Sequence, residues 1–256
     1  MQIFARAFWA QKAGNAPGEY EDAYWPRDRL DQQSGREFRF AVADGATETS
    51  YSGIWAKQLV RMFCSSSRGT SPKQFVSDLR CIQRRWNSVV RRRPLPWYAE
   101  EKVRAGAFSA LLGLRLFDDD SSPRSGAWQA SALGDSCLVH LRGDEVLQRF
   151  PIESAREFTN RPVLLSSNPE YNDSIADCFR LAEGRWISDD AFYLMTDALA
   201  AWFLAQAEQG ERPWSIIRDL DTCDQANEFA DVVSDLRTSR LLRNDDVTLI
   251  RIDVLS

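Results

Sequence analysis

The feature that most constrains the fold is the position of the acidic residues, which recur where strand-like apolar runs begin or end. Asp44-Gly45 closes the run FRFAVADG and Asp197 closes AFYLMTD, whereas Asp245-Asp246 opens DVTLIRIDV. A strand end fixes the direction of its side chain and leaves that side chain near solvent. Carboxylates that converge from several such ends would form an all-oxygen cage for hard divalent cations.

Three further acidic residues occupy comparable positions. Glu21 and Asp22 lie in GEYEDAYW, and Asp135 lies in ALGDSCLVHL. The chain has one His and five scattered Cys. Chemistry at such a site would therefore run on carboxylates, on metal-bound water or on the backbone, and not on a Ser-His or Cys-His pair.

Composition narrows the class of protein. The chain has 256 residues, of which 44% are hydrophobic and 27% charged, as is usual for a soluble globular protein. The net charge of −5 weighs against a general nucleic-acid binder. The chain has no run of about 18 apolar residues and no apolar leader, so the sequence predicts no membrane span. The odd number of cysteines, without a C-x-x-C pair, favours a cytoplasmic protein with reduced thiols.

The order of elements favours an α+β fold. Strand-like runs occur in the N-terminal third, in the middle and at the end, with helices between them. The patterns predict helices over about 50–64 and 72–93, from Asp197 onward, and in PWSIIRDL and QANEFADVVSDLRTSRLL. A polar connection, DDDSSPRSG, is followed by a predicted meander of three strands, AWQASAL, DSCLVHLRG and EVLQRFPI. Residues 151–186 are predicted to form an irregular excursion. Strands and helices do not alternate strictly along the chain, which favours a sandwich of sheets over a doubly wound parallel sheet.

Taken in order, the motifs E-D-A, A-D-G, L-G-D-S, T-D and D-D-V-T resemble those of the metal-dependent, type 2C-like protein serine/threonine phosphatases. The resemblance covers nearly the whole chain. It implies a single domain over 1–256 in which two antiparallel β-sheets pack as a sandwich flanked by helices on both sides, in four αββα layers. It also implies an irregular insertion or flap around 151–186.

The same resemblance implies an activity. It is the hydrolysis of phosphoserine or phosphothreonine in a phosphorylated protein by attack of a metal-bridging water. Two Mn²⁺ or Mg²⁺ ions would be required, and some relatives bind a third, weaker one. A partner serine/threonine kinase system fits such an enzyme. A monomer is favoured, with no nucleic-acid or membrane partner.

Roles follow from the motif positions. Asp44 would bridge both metals, and the carbonyl of Gly45 would bind one of them, Gly being apt because no Cβ obstructs the ion. Asp197 and Asp245 would ligate the second metal. Asp245 is preferred over Asp246 because the family pattern Asp-Asn-x-Thr places Asp246 at the Asn position.

The remaining roles are less direct. Glu21 and Asp22 would hold metal-bound waters, so that Asp22 also counts among the catalytic residues. Asp135 would contact the additional metal. Relatives carry a phosphate-binding Arg shortly before Glu-Asp, whereas positions 15–20 here contain no cation. Lys12 is the preferred substitute and Arg6 the other candidate.

Other departures keep alternatives open. The family has Thr-Asp-Gly where this chain has Ala198, and often a second Asp where it has Ala201. Asp135 could merely close a turn, and Asp197 could merely cap a helix. A catalytically weak or inactive phosphatase-like binding or regulatory protein therefore remains an alternative, and a two-metal phosphodiesterase is another.

Three polar features are interpreted as structural. Arg84, Arg85 and the run at 91–93 are expected to be a solvated helix end, and not a nucleic-acid patch. His140 is expected to be a paired or partly exposed strand residue. The run at 118–120 lacks the EF-hand pattern and is expected to be a solvated turn.

Overall fold

The computed structural model describes residues 1–27, 30–47, 49, 51–65, 72–92, 103–119, 122–159, 161–173, 175–220 and 225–255. Two large antiparallel sheets pack face to face, and helices cover both outer faces. The predicted α+β sandwich of four layers is thereby confirmed.

The first sheet has six strands. They are β1 Gln2–Ala10, β3 Leu30–Ser34, β8 Cys137–Arg142, β9 Glu145–Phe150, β12 Asp190–Met195 and β13 Val247–Leu255. Their order across the sheet is β3-β1-β13-β12-β8-β9. The two central strands, β13 and β12, are the apolar runs that the sequence identifies, because side chains on both of their faces are buried.

The second sheet has five strands in the order β11-β7-β6-β4-β2. Their bounds are β2 Ala23–Trp25, β4 Glu37–Ala43, β6 Leu111–Asp119, β7 Ser122–Leu133 and β11 Arg180–Ile187. A separate ladder joins β5 Phe108–Ser109 to β10 Leu165–Ser166.

Helices cover the sandwich on both sides. On the second sheet lie α1 Ser52–Ser65 and α2 Pro72–Val90, and the short α3 Ile175–Cys178 packs near α2. On the first sheet lie α4 Asp197–Glu208, α5 Pro213–Asp219 and α6 Gln225–Thr238. None of the helices in the described ranges is long and apolar enough to cross a membrane.

Three apolar clusters hold these layers together. One lies between the sheets, and the other two lie between each sheet and its helices. Helix α1 shows how the sequence pattern produces this packing: Trp55, Leu59 and Phe63 recur at four-residue steps and are all buried. Each such side chain contributes about 2 kcal/mol by leaving water.

The predicted meander is confirmed for β8 and β9, which pair as antiparallel neighbours. It is wrong for β7, which belongs to the other sheet. The chain leaves the second sheet after Leu133 and enters the first at Cys137. Gly134 makes this crossing with a φ of 101°, a conformation that suits Gly because it lacks a Cβ. The predicted polar connection is also shorter than expected, since β6 runs to Asp119 and β7 begins at Ser122.

Residues 151–186, predicted to be irregular, end in a regular strand. β11 pairs with β7 from Arg180 opposite Ala132 to Ile187 opposite Ser125. Within β11 only Trp186 is fully buried, so this edge strand lacks the apolar alternation by which strands are recognised. Short turns, β10 and α3 make up the part before it.

His140 is buried rather than partly exposed, and it is part of a polar network between the sheets. Its Nε2 lies 2.9 Å from Oδ2 of Asp190, and its ring stacks on Phe192 with 4.3 Å between ring centres. Arg142 donates two hydrogen bonds to the same carboxylate, at 2.8 and 3.0 Å. Burial raises the pKa of Asp190, but the hydrogen bonds from His140 and Arg142 outweigh it and hold the pKa at about 2.

Replacing Asp190 by Ala should lower the free energy of unfolding by about 3 kcal/mol, because it leaves a buried His and an Arg without their acceptor. The folded pKa lies below the unfolded one, so this stabilisation is present above about pH 4 and lost as the pH falls towards 2. Urea unfolding at neutral pH and near pH 2.5 (roughly midway through that window) measures both effects. The exposed neighbour variant Asp189→Asn serves as the control, and an equal loss at both pH values would contradict the account.

Candidate metal centre

Antiparallel pairing brings the acidic ends of the first sheet to one place. Met195, at the end of β12, lies opposite Leu249 of β13 and Cys137 of β8. The end of β12 therefore adjoins the beginnings of its two neighbours. Asp197 follows this end, and the acidic residues at 135, 245 and 246 precede those beginnings.

The second sheet delivers its acidic residues to the same end of the sandwich. Ala23 of β2 lies opposite Ala43 of β4, so the residues before β2 adjoin the residue after β4. Asp44 is fixed by its backbone, which accepts a hydrogen bond from Ala110 N at 2.8 Å and donates one to Ala110 O at 3.3 Å. The position of its carboxylate is therefore set by the sheet and not by a free loop.

Three of the expected ligands meet directly. One carboxylate oxygen from each of Asp44, Asp135 and Asp197 lies within 4.8 Å of the others. Asp135 is not only a turn residue, because it stands on the crossing between the sheets and its side chain is buried. Asp197 is the first residue of α4, and the cap position belongs to Thr196.

Asp22 lies under this group, fully buried, and is held by a threonine. Thr248 Oγ1 donates to Asp22 Oδ2 at 2.7 Å, while Tyr20 shares a hydrogen bond with the same hydroxyl. Burial raises the pKa of Asp22 well above its usual value, and the charges of Asp246 and Asp197 raise it further. Thr248 is the Thr of the motif D-D-V-T, and its role becomes visible only once β13 is placed beside residue 22.

Asp246 and Asp245 have different surroundings. Both oxygens of Asp246 accept backbone hydrogen bonds, from Lys12 N at 2.8 Å and from Glu21 N at 2.7 Å. Asp246 thus ties two N-terminal segments to β13. Asp245 does not belong to the group formed by Asp44, Asp135 and Asp197. Its carboxylate is partly exposed and faces Arg243, whereas backbone donors already occupy both oxygens of Asp246, which favours Asp245 over Asp246 as the ligand.

Glu21 and Gly45 are linked by close packing. The Glu21 carboxylate accepts a hydrogen bond from Ser52 Oγ, which fixes it beside the start of α1. A Cβ built on Gly45 would lie 2.6 Å from the carbonyl oxygen of Glu21. The reason for Gly at this position is therefore contact with another part of the backbone, in addition to any requirement of an ion.

A cation that sequence reasoning missed lies in the cluster. The Arg243 guanidinium forms an ion pair with Asp197, and its Nη2 lies 3.5 Å from Oδ2 of Asp245. The sequence signal was its place two residues before a candidate ligand. The sequence offers two candidates for the phosphate-binding cation. Lys12 lies close enough for its charge to interact with the Asp245 carboxylate. Arg6 lies opposite Arg251 in β13, away from the strand ends.

Excess negative charge is the main electrostatic property of the site. Burial raises the pKa of Asp44 well above its usual value, and Asp22, Asp197, Asp135 and other nearby carboxylates raise it further. Burial, with the charge of Asp197, raises the pKa of Asp135 to about 7. Close, buried carboxylates with an affinity for positive charge fit hard divalent cations such as Mg²⁺ or Mn²⁺.

The metal-free protein should lose stability as the pH rises from about 4 through about 7. Asp44 and Asp135 have raised pKa values, so their contribution is greatest below the unfolded pKa and falls as the pH rises through the folded one. Thermal unfolding in a chelator measures this loss. We expect Asp44→Asn to show a smaller loss and a higher melting temperature at pH 8, because it removes one of the repelling charges. A lower melting temperature for Asp44→Asn than for the unmodified protein at pH 8 would contradict the account.

A family model described as Protein phosphatase 2C matches residues 21–239. The chain is similar in structure to the serine/threonine phosphatase PstP/Ppp of Mycobacterium tuberculosis, with a TM-score of 0.59 and 15% identity over 100% of both chains. For the catalytic domain of PstP in complex with two manganese ions, the TM-score is 0.56 and the identity 14%, over 99% of this chain and 100% of that one. For the S. agalactiae serine/threonine phosphatase, the TM-score is 0.58 and the identity 12%, over 98% of this chain and 99% of that one. These likenesses concern the fold, and no curated protein sequence matches the chain.

Proposed function

The chain belongs to the protein phosphatase 2C family, and on that premise we propose that it hydrolyses phosphoserine and phosphothreonine in phosphorylated proteins with two Mn²⁺ or Mg²⁺ ions. The observation that supports this most is the meeting of Asp44, Asp135 and Asp197 within 4.8 Å. The similar PstP domain was solved with two manganese ions, which supports the choice of cofactor.

The ligand roles that we propose follow the surroundings of each residue. Asp44, which meets Asp135 and Asp197, would hold both ions, and the carbonyl of Gly45 would hold one of them. Asp197 and Asp245 would hold the second ion. Ala201 offers no carboxylate, so an additional ion at Asp135 would lack one ligand.

The more deeply placed residues hold the others in position. Asp22 and Glu21 would orient the waters of the ions. Thr248 donates a hydrogen bond to Asp22, and Ser52 donates one to Glu21, so both carboxylates are themselves fixed. When bound, a pair of such ions lowers the pKa of a shared water and neutralises phosphate oxygens. The protein's part is to keep the carboxylates at fixed positions.

The proposed reaction needs no nucleophile from the protein itself, and the thiol beside Asp135 is unsuited to that role. Cys137 is buried, and its thiol donates to the carbonyl of Asp135 at 3.4 Å. Burial raises the pKa of this thiol, so it stays protonated at neutral pH. His140 is bound to Asp190, which lies opposite Arg142 at the other end of β8, and it does not serve as the leaving-group acid.

The part of the region 151–186 that precedes β11 is proposed as a flap beside the site, within one domain over 1–256. Its β10 pairs with β5, and Ser109 of β5 bridges to Gly45. Trp55 in α1 donates to the carbonyl of Leu165 at 2.9 Å, which attaches this region to the second sheet's helices. A phosphorylated substrate, made by a partner kinase, would approach the carboxylates past this region.

Replacing Asp44 by Asn should lower kcat on a small aryl phosphate by roughly 1,000-fold, since ions of this kind supply several kcal/mol of transition-state stabilisation. Hydrolysis is measured in saturating Mn²⁺, and circular dichroism checks that the fold is retained. The exposed Asp189→Asn variant, which lies before β12 and therefore at the end of that strand away from the site, is the matched control and should keep its activity. Full activity in the Asp44 variant would refute the proposed role.

Calorimetric titration with Mn²⁺ distinguishes the proposed phosphatase from a catalytically weak or inactive binding protein. The departures at Ala198 and Ala201 motivate it, whereas the intact set of Asp44, Asp197 and Asp245 favours activity. We expect two stoichiometric Mn²⁺ ions to bind the unmodified protein. Absence of stoichiometric Mn²⁺ binding would favour the binding or regulatory protein. In a separate assay, rapid metal-dependent cleavage of plasmid DNA would favour a phosphodiesterase.

A further inference from the structure

Arg243 contacts two residues that the proposed function assigns to a metal ion. Its guanidinium is paired with Asp197, and its Nη2 is 3.5 Å from Oδ2 of Asp245. The side chain of Arg243 is 52% exposed, whereas that of Asp197 is 13% exposed. The cation thus covers the solvent side of two proposed ligands.

Arg243 occupies one oxygen of each of these carboxylates, and its positive charge repels a divalent cation bound to the same two residues. An ion between Asp197 and Asp245 therefore binds more tightly once Arg243 has moved away. The side chain can do so because half of it is already in solvent.

The main chain around Arg243 is held in place, so only the side chain needs to move. Asn244 exchanges two hydrogen bonds with Ala13, of 2.8 and 3.3 Å. Arg237 donates to the carbonyl of Asp245 and to that of Gln11. A displaced Arg243 thus remains at the rim of the carboxylate cluster.

A phosphatase of this kind also needs a cation for the substrate phosphate, and positions 15–20 contain none. Arg is suited to that task because its planar fork can donate two parallel hydrogen bonds to phosphate oxygens. Two other cations interact with the cluster through their charge, Lys12 and Arg237. Lys12 would act only as a point charge, and Arg237 already donates to the carbonyls of Asp245 and Gln11. Arg243 is half exposed and pairs directly with the carboxylates.

We propose that Arg243 is the residue that holds the substrate phosphate, and that in the metal-free protein it occupies Asp197 and Asp245 in competition with the second metal ion. The inference rests on the proposed phosphatase function. It assigns one side chain two successive partners, first the carboxylates and then the phosphate.

The test uses the full chain as Arg243→Ala and Arg243→Lys, with Arg240→Gln as the exposed control from the same loop. Calorimetric titration with Mn²⁺ alone should show the second ion binding about 10-fold more tightly to Arg243→Ala, because its competitor is gone. Titration of the Mn²⁺-saturated protein with inorganic phosphate should show binding about 10-fold weaker. The Lys variant should lie between, and Arg240→Gln should behave like the unmodified protein.

Hydrolysis of a small aryl phosphate completes the test. In saturating Mn²⁺ the Ala variant should raise KM about 10-fold, with a smaller change in kcat. Unchanged or weaker Mn²⁺ binding by Arg243→Ala would overturn the competition, and unchanged phosphate affinity would overturn the phosphate role. If the unmodified protein binds Mn²⁺ and phosphate but hydrolyses no phosphoester, the proposed function fails while the two titrations still decide the role of Arg243.

Discussion

Repulsion between carboxylates that the backbone forces together is the constraint on which this structure depends. Asp44 is held by paired hydrogen bonds to Ala110, and Asp197 begins a helix directly after a buried strand. Neither can move away from its neighbours without disrupting the end of a sheet. The protein therefore keeps a concentration of negative charge that lowers its stability in the absence of cations.

The apolar layers are what make this arrangement possible. Three apolar clusters fix the strands in register. One lies between the sheets, and each of the other two lies between a sheet and its helices. Since the strands are antiparallel, ends and beginnings alternate across each sheet, and the sandwich places both sets of acidic residues at one edge. The energy of burial elsewhere thus offsets the cost of the charged site, as is common for functional sites.

The sequence allowed the carboxylates to be predicted because each one adjoins a strand with strong apolar character. β4 before Asp44 and β12 before Asp197 are recognisable without a structure. The edge strands β3 and β11 were not recognisable, because they expose most of their side chains. The sequence predicts a turn of the meander at Gly134, where the structure has a crossing between the two sheets. A Gly with positive φ is compatible with either.

The roles of the residues between the motifs could not be predicted for another reason. The functions of Thr248, Asp246 and Arg243 depend on contacts with residues that are distant in sequence, such as Asp22 and Lys12. No periodicity or spacing records such contacts. The sequence explains Gly45 by the approach of an ion, whereas in the structure a Cβ at this position would meet the carbonyl oxygen of Glu21.

Anomalous diffraction from a crystal soaked in manganese would test the central claim most directly. The account predicts two anomalous peaks about 3.5–4 Å apart, with the Asp44 carboxylate between them and with Asp197 and Asp245 turned towards one of the two ions. A well-ordered site with no peak among these side chains, or with the carboxylates directed away from one another, would contradict it.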